Sequence, residues 1–150
     1  MSDTQDNALI LHNFLPYRLA VLSNRISRAI ADMYEERFQI SLPEWRVMAV
    51  LGEKPDMSAG EVAEHTAMDK VAVSRAVNKL LKSGRLERHF AEEDKRRSVL
   101  TLSPAGHIVY GEIVPLAKSY EDRILDQLSH EDTSLLSGLL DKLDDIQVHT

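Results

Sequence analysis

The sequence predicts a mainly α fold with one small β-hairpin. Three observations carry that prediction. Apolar residues recur at helical spacing through most of the chain, two short helical patterns meet at a brief turn after Thr66, and two β-prone runs, 85–90 and 98–102, flank a polar tip at 91–97. Two short helices joined by a tight turn and followed by a basic hairpin have the form of a winged helix-turn-helix. At 150 residues the chain accommodates such a core with helical extensions and buries a sizeable interior.

The elements follow in order. Residues 1 to 8 are mostly polar and expected to fray, after which Leu15, Leu19, Leu22, Ile26, Ala29 and Met33 form a stripe along a first helix. Pro16 fits the first turn of that helix or kinks the chain between Leu9 and Leu19. Ser41-Leu42-Pro43-Glu44 reads as a capping box opening a second helix through Trp45, Val47, Met48 and Leu51, with 52–57 as the connection. Ser58-Ala59-Gly60-Glu61 repeats the box, Ser58 accepting from the third helical amide and Glu61 reaching back. This third helix ends near His65 and Thr66. Ala67-Met68 is the turn, Asp69 caps a fourth helix from Lys70 to Ser83, and Gly84 closes it.

The hairpin forms the wing. Ser103-Pro104 then starts a helix running to about Leu128, with Pro115 able to kink it, and Ser129-His130-Glu131-Asp132 caps a last helix bearing Leu135, Leu136, Leu139, Leu140, Leu143 and Ile146. Three segments result: an N-terminal dimerisation helix region at 1–36, the winged helix-turn-helix at 40–102, and C-terminal dimerisation helices at 103–150. Leu15, Leu19 and Leu22, with Leu125, Leu128, Leu136, Leu139, Leu140 and Leu143, are more apolar side chains than one monomer of this topology needs to bury. Pairing two chains resolves the excess; the alternative is that both stripes fill the monomer core.

The charge is local. The net charge is -6, which opposes indiscriminate coating of nucleic acid or anionic membrane. Yet residues 70 to 97 carry 9 Lys+Arg against 4 Asp+Glu, while 1 to 69 carry 6 against 11 and 98 to 150 carry 3 against 9. A basic island between acidic flanks is the footprint of one surface that faces nucleic acid. A solvated basic helix face is the alternative.

On a helical wheel centred on Val73, the residues Ala76, Val77 and Leu80 face inward, while Val71, Arg75, Asn78 and Lys82 face outward with Lys79 nearby. First turns of a recognition helix enter the major groove, so base reading is assigned chiefly to Lys70, Val71, Ser74 and Arg75, with Val71 and Ala72 able to touch thymine methyls. Asn78 and Lys79 are expected to meet phosphate, although Asn78 also reads as a solvated amide. Ser58 joins this set from the start of the third helix. At the wing tip, 94–97 (Asp94, Lys95, Arg96 and Arg97), Asp94 is given a structural role, a carboxylate in a tight turn that aims a neighbouring arginine. Arg96 is assigned to the minor groove and Arg97 to phosphate, with the reverse assignment left open.

The chain resembles the MarR family of bacterial transcription regulators. The resemblance is carried by Leu42-Pro43-Glu44-Trp45-Arg46-Val47-Met48, by the fourth helix from Asp69 through Gly84, and above all by Asp94-Lys95-Arg96 with Leu102-Ser103-Pro104-Ala105-Gly106 behind it. Arg85 stands where the family often has an apolar residue, and Ser103 where it usually has threonine. The resemblance implies a triangular homodimer with the first and last two helices entwined and two winged lobes on one pseudo-palindromic operator. Half-sites would lie about 10 bp apart. It also implies release of DNA when a small phenolic or anionic effector binds between the dimer region and the winged lobe. By analogy such a pocket draws on Tyr17, Arg18, Trp45, Met48 and the helix after Ser103, with His12 and His107 as polar groups. Trp45 equally reads as a core anchor and Tyr17 as interface packing.

Other classes find little footing. With no cysteine, disulfides, thiolate zinc sites and thiol redox sensing are excluded, and the six scattered histidines offer no defensible metal spacing. No nucleophile elbow or phosphate-binding glycine loop appears, so neither catalysis nor a cofactor is expected. No secretory signal or long apolar run is seen, and Arg18, Arg25 and Arg28 interrupt the first helix, so the expected location is cytoplasmic, away from membrane. The reading is a DNA-binding regulator, a repressor acting as a homodimer. Its rival is a helical protein-interaction module that keeps the winged helix as a scaffold, for which the outward face of the fourth helix would be acidic or apolar.

Overall fold

The computed structural model describes residues 7–146. Most of the segment expected to fray, 1–6, and the last residues, 147–150, lie outside the described part. A 3-10 turn at Leu11–Asn13 precedes α1 (Leu15–Phe38), α2 (Leu42–Glu53), α3 (Ala59–Thr66) and α4 (Lys70–Lys82). Strands β1 (Leu86–Phe90) and β2 (Ser98–Leu102) follow, then α5 (Pro104–Leu125) and α6 (His130–Asp144). The chain divides into two compact units, Met1–Gly111 and Glu112–Thr150, with the division inside α5. Among the described residues no helix is long and apolar enough to cross a membrane.

Local chemistry explains the helix ends. Pro16 lies in the first turn of α1, where a missing N–H costs nothing, so of the two expectations for it the first-turn placement holds. The segment before it adopts the 3-10 turn, which helical periodicity did not indicate, and α1 continues past Met33 to Phe38. Gln39 ends it in the left-handed region at φ 57°. The capping box of α2 is complete: Ser41 Oγ accepts from the Glu44 amide at 3.3 Å, and Glu44 Oε1 accepts from the Ser41 amide at 3.4 Å and its hydroxyl at 2.9 Å. Glu44 is only 7% exposed, so these donors offset the desolvation of a carboxylate. Ser41→Ala is therefore expected to cost about 1–2 kcal/mol in chemical denaturation at fixed protein concentration.

In α3 the box forms only in part. Ser58 Oγ accepts from the Glu61 amide at 3.2 Å, but the Glu61 carboxylate accepts from the Ser58 hydroxyl at 3.3 Å instead of from its backbone amide. Ala67 then takes the left-handed conformation at φ 54°, turning the chain into α4, where Asp69 Oδ1 accepts from the Ala72 amide at 2.8 Å. Gly84, at φ 78°, reverses the chain after α4 in a backbone conformation that glycine adopts without a Cβ penalty. β1 begins one residue later than expected, at Leu86, and pairs antiparallel with β2 from Leu86↔Leu102 to Phe90↔Ser98.

The core of the first unit is drawn from every element between α1 and β2. Tyr34 and Ile40, Val47, Met48 and Leu51 of α2, Val62 of α3, Val73, Val77 and Leu80 of α4, and Val99 and Leu100 of β2 are each 1% exposed or less. Burying an aliphatic side chain of this size contributes roughly 1.5–3 kcal/mol, which holds the short α3 and α4 in place despite their marginal intrinsic stability. A bridge from Met57 to Leu100 adds a backbone rung on the other side of β2: the Leu100 amide donates to Met57 O at 2.7 Å, and the Asp56 amide donates to Leu100 O at 3.2 Å. A two-stranded hairpin alone is marginal in water, so this rung ties the base of the wing to the α2–α3 connection.

Arg85 also has a structural partner, its guanidinium donating to the Phe38 carbonyl at 2.7 Å, at the end of α1. A cation there satisfies a carbonyl that the helix leaves open. In the second unit, α5 is continuous through Pro115 and ends at Leu125, so Leu128, expected within the helix, lies in the connection. That connection is tightened by the Gln127 amide on Ile124 O and the Leu128 amide on Leu125 O. α6 begins after Ser129, whose hydroxyl accepts from the Asp132 amide at 3.0 Å, and has no buried residue; Ile146 lies beyond its end.

Candidate nucleic-acid interface

α4 is packed on one side and bare on the other. Val73, Ala76, Val77 and Leu80 are each 2% exposed or less, whereas Lys70, Val71, Ser74, Arg75, Asn78, Lys79 and Lys82 are exposed and Ala72 is half-buried. The wheel drawn from the sequence therefore matches the burial along the helix. Among the described residues no carboxylate lies within ion-pair distance of Lys70, Arg75 or Lys79, so three cations of this face are unneutralised. Ser58, one element earlier, is half-buried and committed to the α3 cap.

The wing is a seven-residue tip closed by the Ala91 amide donating to Arg97 O at 2.9 Å. Inside it, Asp94 O accepts from the Arg97 amide and Asp94 Oδ1 accepts from the Arg96 amide, both at 3.0 Å. Asp94 thus shapes the turn through backbone amides, and it aims Arg96 by fixing that residue's main chain rather than by gripping its guanidinium. Lys95 and Arg96 are exposed, and among the described residues neither has an ion-pair partner. Arg97 differs: its guanidinium pairs with Glu61 of α3 and stands 3.6 Å from Glu93.

Besides the Met57–Leu100 bridge, two side-chain contacts join the wing to the helix-turn-helix region without a signal in the sequence. One is Glu61–Arg97, separated by 36 residues. The other brings His89 Nε2 of β1 within 3.0 Å of Asp56 Oδ1, on a residue held at φ 63°. Neither has a local signature, because both partners are ordinary surface residues in sequence.

The six residues grouped as a pocket are dispersed in character. Met48 is fully buried, while Trp45 packs between Tyr34, with centroids 5.4 Å apart, and Tyr110, stacked at 5.9 Å. Trp45 is half-buried, with both of its ring partners in the same unit. Tyr17, Arg18, His12 and His107 are exposed. A hollow of about 430 Å³ walled by Glu35, Glu44, Lys79 and Arg85 involves none of the six.

A helix-turn-helix with an exposed basic second helix and a hairpin carrying an exposed arginine at its tip defines the winged-helix class of DNA-binding proteins. Residues 38–97 match the model described as the MarR family. The chain is 35% identical over 104 residues to the HTH-type transcriptional regulator BilQ of Clostridium symbiosum, covering 69% of this chain and 72% of that protein. It belongs to the MarR family, as the sequence resemblance implied, and is a DNA-binding transcriptional regulator by family and fold. Among solved structures, a MarR/EmrR family regulator from Acinetobacter sp. ADP1 superposes with a TM-score of 0.84 at 27% identity, over 91% of this chain and 96% of that one. Bordetella bronchiseptica BpsR, solved in a study of how 6-hydroxynicotinic acid regulates its DNA binding, gives 0.80 at 20% identity, over 94% and 100%.

Proposed function

We propose that this protein is a repressor that binds a pseudo-palindromic operator as a homodimer, with α4 in the major groove and Arg96 in the minor groove. The observation that carries the reading is the outward face of α4, where Lys70, Ser74, Arg75 and Lys79 are exposed over a closed apolar face and the three cations lack carboxylate partners among the described residues. That face is basic rather than acidic or apolar, which weighs against the scaffold alternative. Base contacts fall to Lys70, Val71, Ala72, Ser74 and Arg75, and backbone contacts to Asn78, Lys79 and Lys95, with Ser58 at the margin.

Support for the homodimer comes from apolar side chains that one chain leaves in water. In the first unit Leu15, Leu19 and Leu22 are 43% to 51% exposed, and in the second Leu135, Leu136, Leu139, Leu140 and Leu143 are 39% to 56% exposed. Contiguous apolar faces of this kind mark association surfaces, and the regions 1–36 and 103–150 serve that role in this reading. The regulatory input is a small phenolic or anionic effector, a class to which 6-hydroxynicotinic acid, named for the regulation of DNA binding by BpsR, belongs. Such an effector must bind the DNA-free arrangement more tightly than the operator-bound one.

Arg75→Ala tests the base-reading assignment. Affinity for the operator is expected to fall by about 1–3 kcal/mol per half-site, while affinity for unrelated duplex changes much less. Equal losses on both duplexes in a fluorescence-anisotropy titration would reassign Arg75 to phosphate.

A further inference from the structure

Arg97 belongs to the wing by sequence, but its charge is directed at the helix-turn-helix. Its guanidinium meets the Glu61 carboxylate on the first turn of α3 and lies 3.6 Å from Glu93. Glu61 is itself held, since Ser58 Oγ accepts from its amide at 3.2 Å and the Ser58 hydroxyl donates to its carboxylate at 3.3 Å. The side chains of Arg97 and Glu61 are 37% and 39% exposed, so the pair is shielded in part from water and salt. One residue earlier, Arg96 is exposed and has no ion-pair partner among the described residues.

From this geometry we infer that Glu61 and Arg97 form a strut that sets the wing against α3, so that both are positioning residues for operator discrimination and Arg97 is not a phosphate ligand. The inference rests on the proposed docking of α4 and the wing on DNA. Major-groove and minor-groove contacts are made by different elements, and both engage one duplex at least cost when their separation is already fixed. A wing ordered before binding loses less conformational entropy on the duplex than a free one. For Arg97 to reach phosphate it would have to leave Glu61, exposing an uncompensated carboxylate near the DNA backbone.

The test measures binding to operator and to unrelated duplex over a range of salt for the full-length wild type and for R96A, R97A, R97K, E61Q and E61Q/R97A. Each phosphate contact contributes about 0.9 to the slope of log K against log salt. R97A is expected to keep the wild-type slope while lowering the operator-to-unrelated ratio by about threefold per subunit, the size expected of a half-exposed ion pair. R97K should restore most of that ratio. E61Q, which keeps an oxygen for the Ser58 hydroxyl, should lower the ratio similarly and steepen the slope as Arg97 is released, and E61Q/R97A should return the slope to the wild-type value with no further loss of ratio.

A slope shallower by about 0.9 per subunit in R97A would make Arg97 a phosphate ligand and overturn the strut. Unchanged ratios in both E61Q and R97A would overturn it as well. R96A separates this failure from that of the underlying reading. If R96A alters neither slope nor ratio, the wing does not meet DNA and both proposals fall; if R96A is impaired while E61Q and R97A behave as wild type, only the strut is lost.

Discussion

Arg96→Ala is expected to lower operator affinity by about 100-fold or more without moving the melting temperature. The side chain is exposed at the tip of the hairpin and has no ion-pair partner among the described residues, so removing it leaves no buried group unpaired. Its main chain is nevertheless fixed, with the amide donating to Asp94 Oδ1 at 3.0 Å and the next amide donating to Asp94 O. A cation held this way keeps its position through the turn and suits the narrow minor groove, where negative potential is concentrated. A charge-assisted contact of this kind contributes about 1.5–3 kcal/mol, and a dimer presents two of them. Affinity within a few-fold of wild type, at matched melting temperature, would remove Arg96 from the interface.

The second large effect concerns stability. Gly106 lies in the first turn of α5, and a Cβ there would stand 2.0 Å from the Arg85 carbonyl oxygen and 3.0 Å from its carbon. Backbone cannot rotate away as a long side chain can, and this backbone is held on several sides. Arg85 O accepts from the Ser103 amide at 3.0 Å, and the Arg85 guanidinium donates to Phe38 O. Ser103 Oγ also ties the start of α5 to the turn after α4, donating to Gly84 O at 2.5 Å and accepting from the Gly106 amide at 3.0 Å. Gly106→Ala must therefore lift α5 from the strand junction, at an expected cost of about 3 kcal/mol or more and a fall in melting temperature of roughly 10 °C. Gly111→Ala in the same helix meets nothing within 4 Å and is the matched control. Similar melting temperatures for the two variants, measured by circular dichroism at equal concentration, would contradict the close approach.

Much of this was legible because it is local. The Ser41–Glu44 box, the Asp69 cap and the closing Gly84 are signals contained within a few residues, and the inward Val73, Ala76, Val77 and Leu80 follow from the period of the helix. The hairpin pairs as its β-prone runs suggested. What escaped the sequence was long-range or conditional on neighbours. Glu61 looked like the second half of a capping box, but Arg97 competes for its carboxylate from 36 residues away. The Met57–Leu100 bridge joins a connection to a strand, and no periodicity marks it. The reason for Gly106 lies in the approach of Arg85 from another element. Pro115 left α5 uninterrupted, while the earlier end at Leu125 lacked a strong stop signal.

The dimer and the groove assignments meet in one measurement. Selection of bound sequences from random duplexes at physiological salt tests them together, since a two-fold protein imposes its symmetry on the site it prefers. Enrichment of an inverted repeat with half-site centres about 10 bp apart is the predicted result. Enrichment of a single unrepeated site, or of no sequence at all, would contradict the account.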